Sequence, residues 1–134
     1  MAFGKLRKVP GKKGIQFLVI RKHKNSIEIN VKYFLITDGK FKVVFVPALN
    51  LSGYGKTAEE AHSMLEEAMD DYFGRIIKFK QDVLIHELSK FGWKLVSASK
   101  RFENRAYINK EGILRDFKLP EGTPIEERMV SLAA

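Results

Sequence analysis

Between Ser26 and Val46 the chain reads "SIEINVKYFLITDGKFKVVFV", two alternating runs joined by Asp-Gly. In an extended strand Ile27, Ile29, Val31, Tyr33 and Leu35 share one face, with Glu28, Asn30 and Lys32 opposite. Asp38-Gly39 accepts the positive backbone angles of a tight hairpin, so the second run is expected to return antiparallel. It would carry Phe41, Val43 and Phe45 on one face and Lys42, Val44 and Val46 on the other, and Pro47 ends it. A period of two over this length leaves little but an antiparallel ribbon. The ribbon is apolar on both sides, with Phe34, Ile36, Val44 and Val46 assigned to the second face. One helix cannot cover both faces of a sheet. Cover is expected from the C-terminal strands and helix or from another chain, and a homodimer is the expected assembly.

Downstream, "NLSGYGK" can add a short third strand, its glycines read as turn residues. Thr57 and Glu60 form a capping box, in which the hydroxyl accepts the Glu60 amide and the carboxylate reaches back to the Thr57 amide. Ala61, Met64, Leu65, Ala68, Tyr72 and Ile76 recur at helical spacing as the buried stripe, and Gly74 is a candidate end. A second helix is expected over "QDVLIHELSKF", with Val83, Leu84, Leu88 and Phe91 on one side and Gly92 as its stop. "WKLVSAS", "RAYIN" and "ILRDFKL" read as strands and "NKEG" as a turn. In "GTPIEERMVSLAA", Thr123 as cap, Pro124 at the first helical position and Glu126 and Glu127 in the first turn predict a closing helix. The class is therefore α+β: an antiparallel sheet packed by helices, with additional C-terminal strands and a helix.

A chain of 134 residues, 45% hydrophobic and 30% charged, fits one folded domain. It has no cysteine, which excludes disulfides, thiolate metal sites and a cysteine nucleophile. No apolar run is long enough to span a bilayer, and the chain is read as cytoplasmic, with no membrane partner. The net charge of +8 is concentrated at one end. Residues 1–24 hold Lys5, Arg7, Lys8, Lys12, Lys13, Arg21, Lys22 and Lys24 and no acid, whereas the rest balances sixteen cations against sixteen acids. Residues 1–24 are read as a flexible basic arm and 25–134 as one α+β domain. "IQFLVI" within the arm is a possible edge strand. The eight cations are the candidate DNA or RNA contacts.

Chemistry finds little purchase. "GYGKT" lacks the upstream glycine of a phosphate-binding loop, and Glu59 and Glu60 would repel phosphate there. His62 and Glu66 stand four apart on a helix, but no third metal ligand follows at recognisable spacing. No serine lies in a GxSxG elbow. No enzyme, cofactor or metal site is expected.

The run "VVFVPALNLSGYGKTAEEAHSMLEEAMDDYF" resembles the HicB-type antitoxin module. Phe45, Pro47 and Leu49 match its aromatic–proline–leucine corner, and Gly53 or Gly55 its glycine turn. Thr57, Glu59, Glu60 and Ala61 match the helix start, with Glu67 and Ala68 as the second Glu–Ala pair. The likeness covers about residues 27–73 and leaves 74–134 as a C-terminal extension. It implies a partial RNase H-like core without catalytic activity that binds and neutralises a small, basic, RNA-cleaving HicA-type toxin. Residues 74–134 do not read as the DNA-binding domain such antitoxins usually carry. "LIHELSKFGWKLVSAS" is itself similar to the opening of a HicA-type toxin, but the following "KRFENRAYI" lacks the catalytic histidine. The acidic outer face of the Thr57 helix, with Glu59, Glu66, Glu67, Asp70 and Asp71, is the candidate partner surface. The alternative is a small nucleic-acid-binding protein that uses the basic arm.

Overall fold

The computed structural model describes residues 7–10, 14–96, 101–106 and 109–133. In chain order these form β1 (Arg7–Pro10), β2 (Gln16–Arg21), a 3-10 turn (Lys22–Lys24), β3 (Ser26–Asp38), β4 (Phe41–Val46) and β5 (Leu51–Gly55). Helices α1 (Ala58–Ile76) and α2 (Gln81–Ser89) follow, then β6 (Trp93–Val96), β7 (Arg101–Asn104), α3 (Lys110–Asp116) and β8 (Ile125–Ala133). The class is α+β, and the described strands form one antiparallel sheet.

The expected hairpin is present. Asp38 pairs with Phe41, so the loop is Gly39-Lys40, and Gly39, at φ 60, is its first residue. That is the pattern of a type II′ turn. The register places Leu35 opposite Val44 and Phe34 opposite Phe45. Residues directly opposite share a face, so Val44 and Val46 belong with Ile27, Ile29, Val31 and Tyr33, not on the second face assigned to them from sequence. All six pack in the core beneath α1.

The long β3 organises the sheet. Along one side it pairs with β8 from Glu28 to Ile36. On the other it pairs with β2 over Ser26 to Asn30 and with β4 over Phe34 to Asp38. Val31 to Tyr33 lie between these ladders, and there the sheet forks. One branch runs β2–β7–β6 and the other β4–β5.

Several expectations change here. The terminal segment is a strand, not a helix: Thr123 donates to the Pro120 carbonyl instead of capping, and the Pro124 carbonyl accepts the Thr37 amide. Nine paired residues along β3 outweigh the local helix-start signal. "ILRDFKL" is mostly helix, because Asn109 caps α3 by accepting the Gly112 amide at 2.9 Å. Of the strand read over "RAYIN", Arg105 and Ala106 are not strand and Tyr107 and Ile108 lie outside the described residues; a strand stands just before it, at Arg101–Asn104. Nor do residues 1–24 form a free arm throughout. β2 is an inner strand between β3 and β7, and β1 pairs with β8.

Two apolar clusters result. The larger lies between the sheet and α1 and α2. The smaller, on the second face, joins Phe34 and Ile36 to Ile113 of α3 and to Ile125. Those two second-face residues are thus covered from within the chain. Met64, read in the buried stripe of α1, and Val83, read on one side of α2 with Leu84 and Leu88, are exposed; Met69 and Phe73 take the core side of α1, and the helix runs through Gly74.

Candidate functional site

Helix α1 presents the charged surface singled out in the sequence. Thr57 Oγ1 accepts the Glu60 amide at 3.2 Å, as a capping box requires. The Glu60 carboxylate accepts from the Lys56 amide at 2.8 Å, one residue earlier than expected. Beside it, the Tyr54 amide donates to Met64 Sδ at 3.4 Å. Two amides at the outer side of β5 are therefore met by α1 side chains, which closes a sheet edge that would otherwise invite strand pairing. The glycines of "SGYG" are strand residues, not turn residues. At Gly53 a Cβ would stand 2.2 Å from the Ala61 carbonyl oxygen, so its absence lets the helix lie on the strand.

Glu59, Glu67 and Asp71 are exposed and Glu66 is half-buried. Asp70 is not on the outer face: it is buried, and neither carboxylate oxygen has a hydrogen-bond partner among the described residues. Adjacent residues on a helix point about 100° apart, and here Asp70 turns inward beside Met69 while Asp71 stays exposed. A carboxylate held this way costs more than it contributes. Asp70→Leu, close in volume, is expected to stabilise the fold by about 1–3 kcal/mol. A raised urea midpoint with unchanged slope would show it, and a lowered midpoint would contradict it.

Nearby, the buried Tyr72 hydroxyl also lacks a hydrogen-bond partner among the described residues. Burial, aided by the charge of Glu87 and opposed by Arg75, pushes its pKa up to about 12. The His62 ring meets Tyr33 edge-on at 5.3 Å. Among the described residues no group of three His, Asp or Glu side chains is placed to hold a metal. No described helix is long and apolar enough to cross a membrane.

The terminal cations are divided. Lys5, Lys12 and Lys13 lie outside the described residues, and Arg7 and Lys8 belong to β1. Arg21, Lys22 and Lys24 are exposed where β2 leaves the sheet, and Lys22 Nζ donates to the Phe79 carbonyl.

At the fork lies a cleft of about 190 Å³, lined by Gln16, Lys32, Pro47, Ala48, Phe91, Asn104 and Ala106. Side chains in and beside it bond to backbone around the fork, and of Gln16, Asn104 and Trp93 only Trp93 crosses from one branch to the other. Gln16 Oε1 accepts the Lys32 amide at 2.9 Å, and Asn104 Nδ2 donates to the Phe91 carbonyl at 2.9 Å. Trp93 Nε1 donates to the Ala48 carbonyl at 2.7 Å. None of these side chains had been singled out in the sequence, because each acts on backbone far away in the chain. Among the described lining residues Lys32 is the one that ionises, and its Nζ pairs with Glu127 at 3.0 Å. Comparison with protein-family models, curated proteins and solved structures gives no match to this chain.

Proposed function

We propose that the chain is a HicB-like, non-catalytic binding protein, an antitoxin or an orphan relative of one. Its partner is a small, basic, RNA-cleaving protein of the HicA type, held against the exposed face of α1. The observation that carries this reading is the placement of α1 across β3, β4 and β5, the arrangement the HicB resemblance requires. The face turned away from the sheet supplies Glu59, Glu67 and Asp71, with Glu66 at its margin. Such charges speed encounter with a basic partner and select against acidic ones. Asp70 contributes no surface to it.

The test is titration of the purified chain against the product of a short basic reading frame encoded beside it, with RNA cleavage and complex stoichiometry as readouts. A stoichiometric complex that stops cleavage is expected. Charge reversal at Glu67→Lys with Asp71→Lys should weaken it about tenfold or more, chiefly through slower association at low salt. Absence of a complex, or a complex indifferent to the reversal, would remove the proposal.

A further inference from the structure

We propose a second binding surface, for single-stranded nucleic acid, on the side of the sheet facing away from α1 at the β3–β4 hairpin. Among the described residues three aromatic side chains stand exposed: Phe41 at 50%, Tyr54 at 61% and Phe117 at 43%. They come from three separate elements yet occupy one patch. Phe41, Val43 and Phe45 point to the same side of β4. Tyr54 of β5 lies directly opposite Val43. The Phe117 ring, at the end of α3, meets Phe45 edge-on at 4.9 Å. Val43 and Phe45 are half-buried and rest on the second cluster, so the exposed rings sit on a rigid floor.

Each exposed ring has a cation within two residues. Lys40 precedes Phe41, Lys56 follows Tyr54, and Arg115 and Lys118 bracket Phe117; all four are exposed. The acids on this side are Asp38, Asp116, which pairs with Arg115 at 3.7 Å, Glu127, opposite Phe34 and paired with Lys32 at 3.0 Å, and Glu60, whose carboxylate is engaged by the Lys56 amide. Aromatic faces set among cations suit unpaired bases joined by phosphates: the rings stack on any base, and the cations displace counterions. Paired bases hide the faces that stacking needs. This surface is distinct from the terminal cations and does not rest on the antitoxin reading.

Fluorescein-labelled U15 RNA and T15 DNA, titrated with the full chain at 50 and 200 mM salt, give the test. Both strands should bind, more tightly than the same sequences in duplex form. Phe41→Ala with Tyr54→Ala should weaken binding roughly tenfold or more without changing the salt slope. Lys56→Gln with Lys118→Gln should instead reduce that slope by about one unit. Phe41→Trp, which keeps a stacking face, should retain affinity. Thermal melts of the variants check that the fold persists. Equal binding of duplex, no binding, or binding untouched by the aromatic pair would overturn the proposal. So would a dimer that dissociates on Phe41→Ala with Tyr54→Ala while oligonucleotide binding is unaltered, since a second copy would then be the occupant.

Discussion

Alanine at Gly53 is expected to cost about 3 kcal/mol or more, enough to leave the chain largely unfolded if its stability is ordinary. Gly53 is a buried residue of β5 without a positive φ, so backbone freedom is not what it supplies. An added Cβ would lie 2.2 Å from the Ala61 carbonyl oxygen and 2.5 Å from the Leu65 amide nitrogen. Both are backbone atoms of α1, and no change of rotamer moves them. Either the helix lifts off β5 or the strand leaves β4. Lifting it would open a gap under Ala61, Leu65 and Met69, which pack against the sheet. Trp93 is the sole tryptophan, and its fluorescence follows unfolding in urea. Gly39→Ala is the control: nothing lies within 4 Å of its added Cβ, and only the φ of 60° is strained. That strain should cost about 1 kcal/mol. A Gly53→Ala protein as stable as the Gly39→Ala protein would mean that α1 does not rest on β5, and the HicB resemblance would lose its structural basis.

What the sequence disclosed was whatever neighbouring residues decide. The β3–β4 hairpin follows from alternation and Asp-Gly, and the start of α1 from Thr57 and Glu60, because each signal lies within a few residues of its effect. Facing required one more fact. Val44 and Val46 were misplaced because loop length, not alternation alone, decides which residues stand opposite. The C-terminal part escaped for a different reason. Thr123, Pro124, Glu126 and Glu127 are good helix starters, yet Ile125 pairs with Ile36, a partner no local window contains. β2 likewise reads as an edge in the sequence, because one of its partners, β7, lies far downstream. The acidic face of α1 was legible from charges four or so residues apart. The aromatic patch was not, since Phe41, Tyr54 and Phe117 come to one face only after the sheet and α3 have formed.

The fork makes Trp93 the other residue whose loss should be felt most. Trp93→Ala is expected to cost about 3–5 kcal/mol, the range for removing a fully buried large aromatic. Its side chain is 1% exposed in the main core, and its Nε1 donates across the fork to the Ala48 carbonyl just past β4. Among the described strands the two branches share only β3, and none of them partners Val31 to Tyr33 on that side between the two ladders. Gln16 supplies one backbone bond there, to the Lys32 amide, and Trp93 ties the branches on the β4 side. Trp93→Phe separates the two roles of the side chain. It keeps most of the apolar volume and strands the Ala48 carbonyl, so a cost of about 1–3 kcal/mol is expected. Native-state hydrogen exchange should then show β6 and the turn after β4 opening early while the β3–β8 ladder stays protected. Equal costs for phenylalanine and alanine would assign the whole effect to the hydrogen bond. A loss below about 1 kcal/mol for alanine would mean that β3 alone holds the branches, because a fully buried indole cannot be deleted cheaply from a core that depends on it.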